Sequence, residues 1–271
     1  YTTLFRSGEP LFTENETHTE RLFGTPNATP YVKDAFHRRV VAGEQGAVNP
    51  AGEGTKFAAW SVVEAGPGEA VSLDLVLAAA PLEEPFARHE AVLSARAAEA
   101  DAFYADLAPE ADAADAAILR QALAGLVWNK QFYHYDVTRW LAGDQHPPPP
   151  ERRRGRNRHW RHMRARDILS MPDTWEYPWF AAWDLAFHIP ALARLDPDFA
   201  KEQVAVLLSE RYLHPNGQIP AYEWAFGDVN PPVHAMGALA AYRAERDQRG
   251  EGDPAFLERV FHKLLLNYAW W

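Results

Sequence analysis

The chain has 271 residues, a formal net charge of −10, 47% hydrophobic and 24% charged residues, and no cysteine. That balance excludes a disordered chain, a disulfide scaffold, a thiolate metal centre and a cysteine nucleophile. No run approaches the roughly 18 apolar residues that span a bilayer. The acidic total is opposite in sign to that of most nucleic-acid binders.

Residues 1–80 read as strands and loops. Thr55–Val63 is a strand candidate, Gly66-Pro67-Gly68 follows as a turn, and Val71, Leu73, Leu75 and Leu77 alternate on one face. The pattern predicts a hairpin. Two strands bury little on their own, so their sheet partners are expected before Tyr1. Near residue 82 the pattern switches. Residues 84–107, rich in Ala, Glu and Arg, predict a helix, and a second is predicted over 112–142 through Ile118, Leu119, Leu123, Leu126 and Val127. The run His146-Pro147-Pro148-Pro149-Pro150 stops it.

A long connection follows. Residues 151–166 hold eight arginines and one glutamate, which reads as a solvated or acid-paired rim more readily than as an anion or nucleic-acid site. His159 and His162 lie three apart there, in cationic surroundings that disfavour a divalent metal. Helices are then predicted over 181–195, 196–212, 231–247 and 254–271. Asp196-Pro197 and Asp253-Pro254 serve as N-caps with proline at the first helical position. A strand-rich part followed by a helical part predicts two domains rather than an interleaved sheet. Tyr1 is not an initiator Met and Ala269-Trp270-Trp271 has no stop signal, so the chain is read as an excerpt of a longer polypeptide, inactive alone and with apolar helix faces exposed.

No phosphate loop, dinucleotide fingerprint or nucleophile elbow is present. The chemistry-bearing stretches are aromatic. Of the ten tryptophans, Trp175, Trp179, Trp183 and Trp224 fall within fifty residues. Tryptophan faces suit sugar rings as well as cores. Asp184 opens an apolar helix beside Trp183. Apolar neighbours raise a carboxyl pKa, and a carboxyl protonated at neutral pH can protonate a departing glycosidic oxygen. The competing reading is that Asp184 caps the helix. The second stretch, His214-Pro215-Asn216-Gly217-Gln218-Ile219-Pro220-Ala221-Tyr222-Glu223-Trp224, joins amide, carboxylate and ring in a loop fixed by Pro and Gly, suited to hydroxyl recognition or to simple anchoring.

Trp175-Glu176-Tyr177-Pro178-Trp179-Phe180-Ala181-Ala182-Trp183-Asp184, Asp198-Phe199-Ala200-Lys201-Glu202-Gln203 and the 214–224 loop resemble the hallmark segments of glycoside hydrolase family 63, the processing α-glucosidases, above all its large bacterial members. Phe12–Glu16, Glu20–Gly24, Lys130–Asp136 and Arg152–Asn157 are similar to the same proteins, and Trp183-Asp184 with Phe187 also resembles trehalases of the same clan. The resemblance covers nearly the whole chain. It implies a mainly α fold: part of an (α/α)6 toroid preceded by the end of an antiparallel β-sandwich. The domains would be residues 1–82 (sandwich), 83–110 (linker helix) and 111–271 (first half of the barrel). It implies an inverting hydrolase with Asp184 as general acid and the general-base Glu beyond Trp271. Trp179, Phe180, Trp183 and Trp224 would shape the sugar subsite, and Gln218 and Glu223 would bind hydroxyls. Arg139 or Asp136 would approach from an earlier helix. The expected partners are an α-glucoside or oligosaccharide and the remaining segments of the same polypeptide, in the cytoplasm, with no cofactor, metal, nucleic acid or membrane. The alternatives are trehalose or glycosylglycerate hydrolysis, and a non-catalytic carbohydrate-binding or scaffold protein.

Overall fold

The computed structural model describes residues 2–5, 8–143 and 150–271, with the side chains of 2–5 excepted. The predicted stop at 146–149 therefore lies outside the described residues, apart from Pro150. The chain divides into two compact units, residues 1–98 and 99–271.

In the first unit, β1 (Thr2–Phe5) pairs antiparallel with β4 (Leu75–Ala78), and β2 (Glu9–Thr13) with β3 (Lys56–Trp60). The predicted strands exist, but the hairpin between them does not. A fourteen-residue connection separates β3 from β4, too long to enforce pairing. Each strand instead takes a partner from residues 2–13. Leu11 stands opposite Ala58 and is buried with Ala35, Ala47 and Val48. Two short helices, α1 (Thr19–Phe23) and α2 (Ala35–Val40), also interrupt what reads as strands and loops. Arg39 joins this small core by ion-pairing Glu9 at 2.7 Å and lying over the Trp60 ring.

The second unit is mainly helical. The predicted helix at 84–107 appears as α3 (His89–Leu107). The division between the units falls within it. The next, α4 (Ala113–Trp128), is capped by Asp112, which accepts from the Ala114 and Asp115 N–H groups. It does not continue to 142. Asn129 ends it, and Lys130–Asp136 becomes β5, paired antiparallel with β6 (Arg164–Ser170) before α5 (Val137–Ala142). The run Phe132-Tyr133-His134-Tyr135 favours a pleated strand over a helix. Its alternation places Tyr133 in the core and Phe132 and His134 outside.

The remaining helices fall close to expectation: α6 (Ala182–Leu195), α7 (Pro197–Leu207), α8 (His234–Arg249) and α9 (Pro254–Trp270). The second ends five residues early, because residues 208–213 turn to enter the following loop. Asp196 and Asp253 cap as predicted, accepting from Phe199 and Phe256 N–H at 3.0 and 2.9 Å. One core layer lies between β5–β6 and α6, through Tyr133, Leu169, Phe180, Leu185 and Phe226. The other lies among α6, α7, α8 and α9, through Ile189, Leu192, Val204, Ala241 and Phe256. Helix α9 leaves Phe261, Leu265 and Tyr268 exposed.

Pro190 sits inside α6. Lacking an N–H, it cannot bond the carbonyl of Ala186 one turn back. Gly237 of α8 lies against that carbonyl, and a Cβ on it would stand 3.0 Å from the oxygen. The two helices approach closely because this position carries no side chain.

Candidate active site

Two loops build the site. In the first, Asp173 Oδ1 accepts from the N–H groups of Trp175, Glu176 and Tyr177 at 2.8, 2.6 and 2.8 Å. Desolvation opposes its ionisation, but the three donors hold the Asp173 carboxyl below the ordinary carboxylate range. This fixes the turn that leads through Trp179 to α6. The second loop, 221–226, is stitched to the first. Ala182 N–H donates to Ala221 O at 2.8 Å, and Glu223 N–H to Phe180 O at 3.0 Å.

Beneath the stitch lies Phe180, 1% exposed, stacked on Tyr133 with centroids 5.6 Å apart and touching Tyr212 and Phe226. Its ring belongs to the core, where it supports the loops from below. Asn157 fastens the second loop from the other side. It adopts the left-handed conformation, φ 61°. Its Nδ2 donates to Glu223 O at 2.8 Å and reaches Tyr135 Oη at 3.4 Å, while Oδ1 accepts from Phe226 N–H at 3.2 Å.

The Glu223 side chain is half-buried, and burial pushes its carboxyl above the ordinary range against the pull of Arg156. Burial also pushes the Tyr133 and Tyr135 hydroxyls upward, and Glu223 adds to both shifts. The Tyr133 hydroxyl oxygen is buried without a hydrogen-bond partner. Arg156 places its guanidinium 4.1 Å from the Trp224 ring centre and 5.2 Å from that of Trp140, while Arg152 covers Trp140 at 5.3 Å. Trp224 meets Trp179 edge-on at 6.1 Å, and Trp179 meets Tyr177 at 5.0 Å. An open cleft of about 610 Å³ runs alongside, lined by Arg156, Trp160, His214, Gln218 and Trp224 among others.

Asp184 is the third residue of α6 and is exposed. Ala181 occupies the cap position, with no side-chain bond to the helix, so the capping alternative does not hold. A carboxylate in the first turn still gains from the helix dipole. The apolar enclosure expected around Asp184 is not formed by the described residues. On the same helix the rings of Trp183 and Phe187 meet at 5.6 Å, and both are exposed. A small hollow is lined by Trp183, Ala221, Asn230 and His234 among others.

Gln218 and Trp224 line that cleft, Trp179 meets Trp224 edge-on, Glu223 precedes Trp224 in the same loop, Phe180 lies in the core, and Trp183 and Asp184 stand in the first turn of α6. Gln218 Nε2 donates to Gly227 O at 3.0 Å, which braces the cleft wall. Asp136 stands at the start of α5, which carries Arg139. Asp136 Oδ1 caps α5 by accepting from Arg139 N–H at 2.9 Å, and Oδ2 pairs with Arg164 Nε at 3.2 Å. Sequence reasoning missed Arg156, Asn157, Tyr135 and Trp140 as site residues. The available signal was an Arg-Asn pair in the basic segment with aromatics upstream.

Residues 177–271 match the family model of the mannosylglycerate hydrolase MGH1-like glycoside hydrolase domain. That stretch of the chain is similar to a glycoside hydrolase domain. Among curated relatives, the chain is 46% identical over 277 residues to the uncharacterized protein YMR196W of Saccharomyces cerevisiae (strain ATCC 204508 / S288c). The alignment covers 96% of this chain and 26% of that protein, so the chain spans about a quarter of the relative's length. No solved structure matches.

Proposed function

We propose that the chain carries the acid-bearing half of the active site of an inverting α-glucosidase of family 63 type, a cytoplasmic enzyme whose partner carboxylate is supplied by the remainder of a longer polypeptide within a toroid. Asp184 is the general acid. Trp179, Trp183 and Trp224 wall the sugar subsite, and Gln218 and Glu223 bind its hydroxyls. The observation that carries this reading is the stitch between the loops, Ala182 to Ala221 and Glu223 to Phe180. It sets the start of the Asp184 helix beside a half-buried carboxyl and a pair of tryptophans. Inversion requires a water between the sugar and the second carboxylate, which takes the water's proton while Asp184 gives its own to the leaving oxygen.

The test uses the full polypeptide that carries this span, assayed on α-glucosides, trehalose and mannosylglycerate. Asp184→Asn is expected to lower kcat on an α-glucoside by roughly 10²–10⁴-fold, and NMR of the first product is expected to show the β-anomer. A loss well under tenfold removes Asp184 from the acid role. A second reading, cleavage of a glycoside with an acidic aglycone such as a glycosylglycerate, is favoured by Arg156, whose guanidinium is held at the cleft wall by Trp140 and Trp224. Activity confined to mannosylglycerate selects it.

A further inference from the structure

Apart from Arg156, the basic segment 151–166 has no part in the reading above. Its arginines belong to a chain of net charge −10, yet the expected rim of acid pairs forms at one position. Among the described residues, only Arg164 of this segment meets a carboxylate, Asp136 at 3.2 Å. Arg152 and Arg156 gather on one ring instead, their guanidinium carbons 5.3 and 5.2 Å from the centre of Trp140. Arg156 also lies 4.1 Å over Trp224. Arg158 is tied back to the same turn, its Nη1 donating to Arg154 O at 2.6 Å. Glu223 acts on Arg156, but burial raises the pKa of that carboxyl and no ion pair joins the two. Like charges gathered in this way repel one another, and an anion seated among them offsets the repulsion.

Arg156 and Arg158 both line the open cleft of about 610 Å³, with His159, His214, Gln218 and Trp224. Sites for small molecules occupy roughly 300–1,000 Å³. Asp228 is the carboxylate on that lining, and it is engaged by the Tyr222 hydroxyl. The His214 ring is fixed in place. It meets Trp160 edge-on at 4.8 Å, and its Nδ1 accepts from Asn216 N–H at 3.2 Å. With Nδ1 accepting, Nε2 carries the proton and is a donor. Trp224 remains 50% exposed. One cleft therefore joins two guanidinium groups, two imidazoles and an exposed indole.

We propose that this cleft binds a sugar carrying a phosphate group, the phosphate held by Arg156 and Arg158 and the sugar ring placed at Trp224. The inference rests on the reading of the cleft as a sugar subsite and adds an anionic group to what it takes. A carboxylate is matched by one planar guanidinium fork. A phosphomonoester carries about −1.5 to −2 charge at pH 7 and three strong acceptor oxygens, which suits two separate guanidinium groups with the His214 donor beside them. A longer polyanion suits the site less well. Its charges extend past the roughly 8 Å over which a charge is felt at physiological ionic strength, onto a chain that is acidic outside this segment.

Isothermal titration of the full polypeptide that carries this span compares glucose 6-phosphate with glucose, glucuronate and inorganic phosphate. Glucose 6-phosphate is expected to bind at least about tenfold more tightly than each of the other three. Arg158→Gln is expected to remove most of that advantage and to leave glucose binding within about twofold. Arg158 is exposed, so the variant is expected to fold, and its melting temperature checks this. Parity of glucose 6-phosphate with glucose or glucuronate would overturn the proposal, as would an unchanged affinity in Arg158→Gln. Parity with inorganic phosphate would overturn it too, leaving a free-anion site without a sugar contact. A single-stranded oligonucleotide that binds more tightly than the sugar phosphate would replace it with a strand-binding groove. The acid reading is read apart from all of these, since Asp184→Asn removes turnover when that reading holds and is expected to leave the affinity for glucose 6-phosphate unchanged.

Discussion

Arg156 and Trp224 are in face contact, the guanidinium carbon 4.1 Å from the ring centre, and the same guanidinium is the cation that acts on Glu223. One side chain therefore serves the cleft wall twice, as a stacked surface and as a counter-charge. Arg156→Ala is expected to raise KM several-fold for a glycoside with a carboxylate aglycone, since a stacked cation of this kind contributes about 0.5–2 kcal/mol. Arg156→Lys restores little of it, because a lysine lacks the planar fork. Steady-state kinetics on acidic and neutral glycosides check this. Equal effects on both would place Arg156 in loop support alone.

Asn157 fastens the Glu223 loop by its side chain, in a backbone conformation that most residues avoid. Asn157→Ala removes both bonds, strands the buried Phe226 N–H and keeps the strain. The expected cost is about 2–4 kcal/mol, read as a lowered melting temperature. Asn157→Gly relieves the strain but not the lost bonds, so it should recover roughly 1 kcal/mol of that loss. A glycine variant as stable as the native protein would show that the bonds contribute nothing.

Gly217 lies at φ 95°, and a Cβ there would stand 2.5 Å from the carbonyl oxygen of Leu266 in α9. At the same contact Asn267 Nδ2 donates to Gly217 O at 2.9 Å, and Asn267 Oδ1 accepts from His234 Nε2 at 3.0 Å. Gly217→Ala must push α9 away from the loop and break this bridge. Destabilisation above about 2 kcal/mol is expected. Hydrogen exchange should show the loss in α9 before it reaches the β5–β6 pair, and uniform loss across the unit would contradict the local account.

Three histidines of the helical unit, His162, His188 and His234, have pKa values pulled below the ordinary 6.5 by burial, His162 also by neighbouring His214. Each therefore binds its proton more weakly folded than unfolded. Below about pH 6.5 the unfolded chain holds more protons, and stability falls as pH falls. Above that value their contribution is fully present. Denaturant midpoints measured from pH 7.5 down to 5.5 should decline. The decline should shrink in a His162→Gln, His234→Gln double variant, and an unchanged slope there would reject the assignment.

The helices of the second half were legible because each announces itself. Asp196-Pro197 and Asp253-Pro254 carry their caps in the sequence, and the apolar stripes of α6 and α9 keep a helical period. Strand pairing was not legible. Nothing local distinguishes a β3–β4 hairpin from β3 joined to Glu9–Thr13, since pairing depends on contacts distant along the chain. Lys130–Asp136 was taken into a helix because aromatics fit either periodicity, and its partner lay hidden in the end of the arginine-rich segment. At the site, the proximity of Trp179 and Trp224 could be anticipated from loop chemistry. Phe180 lies in the core, and a ring among tryptophans gives no sign of which one faces inward. Arg156 and Asn157 were overlooked because a run of eight arginines hides the one that is folded against a ring.

The missing amide at Pro190 has a mechanical result. With Ala186 O turned to Gly237 and no side chain between the backbones, α6 cannot slide or roll without carrying α8 along. The two rods behave as a single beam, and Asp184 is mounted at its tip. The start of α6, which carries Asp184, is thereby tied to α8 through the helix backbone itself.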